Sequence, residues 1–213
     1  METLMREGTP SDQGPLGQAR LLLDEALQLV ETDASADHVR AVLRLARRSF
    51  DSPRLEPGAL IQTGHLLEEE GRFELAAEHY AEVVKLEPHA ARGWTNLGEA
   101  RRKLSQWQLA LEAYNRALAC EPDYLWALAG RAEALRMLGR LEDCIAPFEA
   151  ALAKSPDHVF ALQGLGAALS ELGRYRLALP HWEHALRLRP SSGFASDGLA
   201  RCHQALASTP DAG

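Results

Sequence analysis

Apolar and polar residues follow one another along this chain with a helical rhythm, and the rhythm itself recurs. One stretch reads Trp94-x-x-Leu97-Gly98, then Ala110-x-x-x-Tyr114, Ala117 and Pro122. A later one reads Leu162-x-x-Leu165-Gly166, then Ala178-x-x-x-Trp182, Ala185 and Pro190. Between them come Leu128, Ala132, Cys144, Phe148, Ala151 and Pro156, and ahead of them Leu60, Gly64, Ala76, Tyr80 and Pro88. Steps of three and four place such residues on one face of a helix. The prolines Pro88, Pro122, Pro156 and Pro190 stand 34 residues apart. So even an interval predicts a stack of like helical hairpins, not a compact enzyme domain. Leu, Ala, Arg and Glu, all strong helix formers, dominate between the breakers. Runs of Val, Ile and Thr that would build strands are missing, so the chain is expected to be all-α.

Each recurring position has a physical task. Gly64, Gly98, Ala132 and Gly166 are small where the first helix of a hairpin must approach the second, and Ala76, Ala110, Cys144 and Ala178 answer them from the second helix. The rings of Tyr80, Tyr114, Phe148 and Trp182 fill the space beneath the next hairpin. Gly71, Gly139 and Gly173 suit a turn with positive φ, and Ser105 takes that slot in the second block. Each spaced proline ends a second helix.

These residues strongly resemble the tetratricopeptide repeat family, in four blocks: 57–90, 91–124, 125–158 and 159–192. The resemblance implies a right-handed α-solenoid of antiparallel helix pairs, stabilised by contacts between neighbours. Arg101, Arg131 and Cys144 depart from the family pattern without breaking its register. A fifth half-repeat, 193–207, reads as a capping helix with Asp197, Arg201 and Gln204 on its polar outer side. Residues 16–31 and 36–50 show apolar residues at helical spacing but fit the repeat poorly; 16–56 is expected to be a helical pair, a degenerate repeat or a cap. Residues 1–15 and the tail 208–213 are expected to lack fixed structure.

Composition narrows the work this array does. The formal net charge is −7 and the pI about 5.6, the wrong sign for a domain that gains affinity from phosphates. No apolar segment long enough for a membrane span is visible, nor is a signal peptide, so a cytoplasmic location is expected. Cys120, Cys144 and Cys202 form no CxxC or CxxH pair and no disulfide framework, which fits a reducing compartment. His181 and His184 stand three apart on one helix, a spacing that ligates metals, but no third ligand is evident. Neither a GxSxG nor a Gly-rich phosphate loop occurs. The expected protein is therefore not an enzyme and carries no cofactor or metal.

The family resemblance implies a concave face lined by first helices, with ligand contacts from a few positions of each block. Carried over, they include Arg92, Asn96, Glu99, Arg102, Lys103, Trp126, Gly130, Glu133, Arg136, Phe160, Gln163, Gly164, Phe194 and Arg201. An aromatic followed four residues later by glycine recurs at Trp126/Gly130, Phe160/Gly164 and Phe194/Gly198. One reading is a row of shallow notches beside exposed rings that takes an apolar anchor; the other is that the glycines let first helices pack closely. Arg92, Arg102, Lys103 and Arg136 against Glu99 and Glu133 read either as a partly basic groove for an acidic segment or as solvated ion pairs three and four residues apart. The clamp with which some members of the family hold acidic chaperone tails is not matched: Asn96 fits, but Ile61, His65, Trp126 and Gly130 do not.

The leading expectation is a non-catalytic adaptor or scaffold that binds a peptide or helix of another protein in this groove. Two others stand beside it: a dedicated chaperone or assembly factor for a bacterial secretion, pilus or organelle machine, and a scaffold that self-associates through its open ends.

Overall fold

The computed structural model describes residues 57–208; the expected segment 1–15, the expected helical pair at 16–56 and the expected tail 208–213, save Ser208, which ends the last described helix, lie outside them. Every element among the described residues is an α-helix. The chain divides into two compact units, Met1–Pro88 and His89–Gly213. In the first unit, α1 (Pro57–Glu69) and α2 (Phe73–Leu86) form a hairpin. The second unit contains α3 (Ala91–Lys103), α4 (Trp107–Cys120), α5 (Leu125–Met137), α6 (Leu141–Lys154), α7 (Val159–Glu171), α8 (Tyr175–Leu188) and α9 (Gly193–Ser208). The fold is an all-α solenoid: within each unit every described helix packs on the next, and within the second unit α3, α5, α7 and α9 also touch in sequence.

The turns inside the hairpins explain why the helices stop where they do. Gly71, Gly139 and Gly173 have φ of 75°, 75° and 73°, and Ser105 reaches 57° in the same slot. In each turn the following residue donates its N–H to a carbonyl five positions back, as Arg140 does to Leu135 at 2.9 Å and Gln106 to Arg101 at 2.9 Å. This closes the last helical turn and reverses the chain. Pro88, Pro122, Pro156 and Pro190 each follow the end of a second helix by two residues. Two further prolines are less expected. Pro147 and Pro180 lie inside α6 and α8, where each withholds a backbone donor from the helical ladder.

The core of the second unit is a column of second-helix rings. Tyr114, Phe148 and Trp182 are completely buried. Tyr114 lies against Gly98 of its own hairpin and Gly130 of the next; Trp182 lies likewise between Gly166 and Gly198. A Cβ built on Gly130 would stand 2.4 Å from Tyr114, and one on Gly164 would stand 2.2 Å from Phe148. The glycines four residues after each exposed ring are therefore not notches. Gly130 and Gly164 are buried and filled from below, and what they admit is the ring of the preceding second helix, not a neighbouring first helix. In the first unit Tyr80 presses on Gly64 in the same way, and its hydroxyl meets His65 Nδ1 at 3.0 Å and donates to Glu68 Oε2 at 3.1 Å.

Candidate peptide-docking face

Within the second unit, the first helices α3, α5, α7 and α9 turn one face away from the ring column. At the N-terminal ends of α5, α7 and α9, the side chains of Trp126, Phe160 and Phe194 are 59%, 36% and 52% exposed. Their register is common, because each occupies the second position of its helix, and each is the residue four before a buried glycine. The rings are not loose. Trp126 meets His158 edge to face at 5.1 Å, His158 meets Phe160 at 6.4 Å, and Phe194 meets the buried Trp182 at 5.4 Å. His158 holds its place as the N-cap of α7, where Nδ1 accepts from the Ala161 N–H at 3.2 Å. That bond needs an unprotonated Nδ1, and burial holds the His158 pKa below its ordinary value.

The C-terminal ends of the same helices carry a ladder of alternating charge. The Arg102 guanidinium grips Glu99 through Nε at 3.0 Å and through Nη2, and Tyr114 donates to the same carboxylate at 3.0 Å. Arg136 donates to Glu133 through Nε at 2.9 Å and Nη2 at 2.8 Å, and reaches across to Glu171 of α7. Burial pushes Glu99 toward neutrality, but the bond and charge of Arg102, the Tyr114 hydroxyl and the Lys103 charge together outweigh it, and the carboxyl rests below its ordinary pKa. Tyr114 is pushed well above the usual phenol value by burial and by the Glu99 charge. The hydrogen bonds that Arg136 donates to Glu133 raise its pKa against the cost of its own burial. Both arginines thus have carboxylates of their own, and the ion-pair reading describes them better than a basic groove does. Lys103 adds its field to Glu99.

Arg102 also joins the two lanes. Its guanidinium carbon lies 5.5 Å from the centre of the Phe160 ring. The side chain of α3 therefore reaches past α5 to α7. A cation over a ring face attracts it by up to about 1 kcal/mol at such a half-open site.

The remaining candidate residues divide. Arg92 and Arg201 are exposed and form no ion pair with any described residue. Gln163 is tied down, donating to Ser192 Oγ at 2.9 Å, and Ser192 caps α9 through Ala195 N. Asn96 is half-buried, and its Nδ2 is enclosed without a hydrogen-bond partner. Away from this face, His184 pairs with Asp157 at 2.9 Å, and His181 is held below its ordinary pKa by burial. Among the described residues no group of three or more His, Cys, Asp and Glu is placed to hold a metal. Cys144 is buried and its thiol is pushed up to about 11 by burial, so it serves as a small packing residue. Sequence reasoning did not find His158, Tyr114 or Glu171 as parts of this face. His158 was the one with a local signal, standing just ahead of an apolar helical run.

A model of the tetratricopeptide repeat matches residues 61–124 and 101–159. No curated protein sequence gives a significant match. Among solved structures, the chain is similar to MamA, at 23% identity, with 63% of this chain and 79% of that chain covered and a TM-score of 0.57. It is also similar to YrrB, described as a TPR protein with an unusual peptide-binding site: 19% identity, 83% and 89% covered, TM-score 0.60. A third is the first TPR of Spaghetti (RPAP3) bound to the HSP90 peptide SRMEEVD, at 24% identity, 55% and 93% covered, TM-score 0.53. These likenesses are likenesses of fold.

Proposed function

Starting from a chain that belongs to the tetratricopeptide repeat family, whose members are protein-interaction modules, we propose that it is a non-catalytic adaptor that holds a peptide or helix of another protein on the face of its first helices. The observation that carries this reading is the row of Trp126, Phe160 and Phe194, three exposed rings in one register on successive first helices. A large apolar side chain left in water forgoes about 1.5–3 kcal/mol of burial. Three such residues held in fixed orientations give a partner's apolar side chains a preorganised surface, so little entropy is lost on docking. YrrB and the Spaghetti domain, which share the fold, have peptide sites by their descriptions.

Charge shapes what that partner is. Because Glu99, Glu133 and Glu171 already hold Arg102 and Arg136, a strongly acidic tail of the kind bound by the Spaghetti domain gains little here. The partner segment is instead anchored by bulky apolar residues, and its capture depends weakly on salt. The double substitution Trp126→Ala with Phe160→Ala should abolish capture of the native partner while leaving helicity intact, since both side chains are exposed. Capture at full strength by this variant would place the working surface elsewhere.

A further inference from the structure

Between Trp126 and Phe160 stands His158, a titratable side chain in contact with both rings. Its imidazole is fixed from three directions. Nδ1 accepts from the Ala161 N–H at 3.2 Å, Trp126 meets the ring at 5.1 Å and 68°, and Phe160 meets it at 6.4 Å and 81°. We infer that His158 is a positioning residue of the docking face: it holds Trp126 and Phe160 in place only while its imidazole is neutral, so that a proton on His158 and an apolar partner on the rings exclude each other. This rests on the first-helix face being the docking surface.

Two features of the position oppose a proton. The cap uses the Nδ1 lone pair, and a protonated Nδ1 would turn its hydrogen toward the Ala161 N–H, at the positive end of α7. Burial also disfavours the charged ring, and more strongly than its backbone hydrogen bond favours it. Trp126 and Phe160 attract a cation, but the imidazole meets them from the cap position, and protonation breaks the bond that keeps it there. Once released, it no longer fixes the spacing of the two rings. The charged groups at this end of the hairpins are engaged elsewhere. Asp123, ahead of α5, pairs with Lys154 of α6, and Asp157 pairs with His184 of α8. Arg102 of α3, over Phe160, is gripped by Glu99. On the α9 side the row continues with the uncharged Phe194, and Arg189 is exposed. A partner seated on Trp126 and Phe160 covers the imidazole between them, which strips more water from it and makes protonation harder still. By linkage, the proton then weakens the partner as much as the partner weakens the proton. The folded value of His158 lies below the ordinary value of about 6.5. Capture is therefore fully present above that ordinary value and is lost as pH falls through the lower, folded one.

Titration of the full ¹⁵N-labelled chain from about pH 7.5 to about pH 5 tests this, alone and with acetyl-Gly-Phe-Leu-Gly-amide, an apolar probe with no titratable group. In the free chain the Ala161 amide and the Trp126 indole N–H should shift together, with one midpoint below about 6.5. Both shifts should vanish in His158→Asn, which keeps a cap acceptor and loses the imidazole. The probe should give saturable shifts at Trp126 and Phe160 at the upper pH. Its affinity should fall by up to about tenfold for each pH unit below the midpoint, the limit for one linked proton. His158→Asn should bind the probe more weakly than the parent at the upper pH and should show no dependence on pH; far-UV circular dichroism checks that it folds. Different midpoints for Ala161 and Trp126, or a pH response that survives His158→Asn, would overturn the assignment. No saturable shift at Trp126 and Phe160 at the upper pH overturns the docking reading and the proton coupling with it, whereas binding that ignores pH overturns the coupling alone.

Discussion

Replacing Gly164 by Ala sets two known effects against each other. Alanine is favoured over glycine inside a helix by about 1 kcal/mol, so α7 alone would gain. The added Cβ, however, would lie 2.2 Å from Cζ and 2.5 Å from Cε1 of Phe148. Phe148 is completely buried in the ring column, so its ring has no free space to retreat into. Overpacking of this kind costs about 1–3 kcal/mol, and contacts this short belong at the upper end. The net expectation is a loss of about 1–2 kcal/mol, which in urea lowers the midpoint by about 0.5–1 M at an ordinary slope. Gly193→Ala is the control, because nothing lies within 4 Å of a Cβ built there, and it should be neutral or slightly stabilising. Urea unfolding followed by far-UV circular dichroism reads both. A Gly164→Ala protein as stable as the parent, or more stable, would refute the claim that Phe148 is clamped against this position.

Three further outcomes follow from the backbone and its caps. Ser105→Gly should stabilise by about 0.5–1 kcal/mol, since a side chain at φ 57° carries left-handed strain that glycine avoids; an unchanged thermal midpoint would count against strain in this turn. Pro180→Ala should stabilise α8 by about 1–3 kcal/mol by restoring a backbone donor at an exposed position, and a loss of stability in urea would mean the helix is shaped around the proline. The His158 cap requires a neutral ring with a depressed pKa, so its stabilisation is fully present above the unfolded value of about 6.5 and is lost as pH falls through the lower folded value. Between about pH 7.5 and pH 5 the parent should therefore lose up to about 1 kcal/mol more than His158→Asn, whose cap does not titrate; equal losses in thermal melts would contradict the capping role.

What the sequence disclosed were the features with a local or periodic cause. Turn slots 71, 105, 139 and 173 all have positive φ as expected, because the requirement is set by the turn itself. The second-helix rings are buried as expected, because their position in the period leaves them no other surface. Gly130 and Gly164 were read less well. The partner of each is a ring sixteen positions earlier, 114 for 130 and 148 for 164, and helical spacing within one element cannot reveal a neighbour on another. Of the two readings of the charges on α3 and α5, the ion-pair one holds, and the sequence showed only its local part. Sequence proximity showed Glu99 beside Arg102, but Glu171 reaches Arg136 from 35 residues away, and Arg102 reaches Phe160 across an intervening helix. The local pairs Glu99–Arg102 and Glu133–Arg136, joined by Glu171, make this face a neutralised ladder. His158 had a local signal for its cap, but its contact with Trp126 exists only once α5 and α7 lie side by side.

Hydroxyl-radical footprinting of the full chain, alone and with its captured native partner, puts the docking face to the most direct test. Oxidation of Trp126, Phe160 and Phe194 should fall sharply in the complex, while the exposed second-helix residues Leu109 and Leu177 should remain as reactive as before. Protection of Leu109 and Leu177 with the three rings left fully reactive would contradict the account.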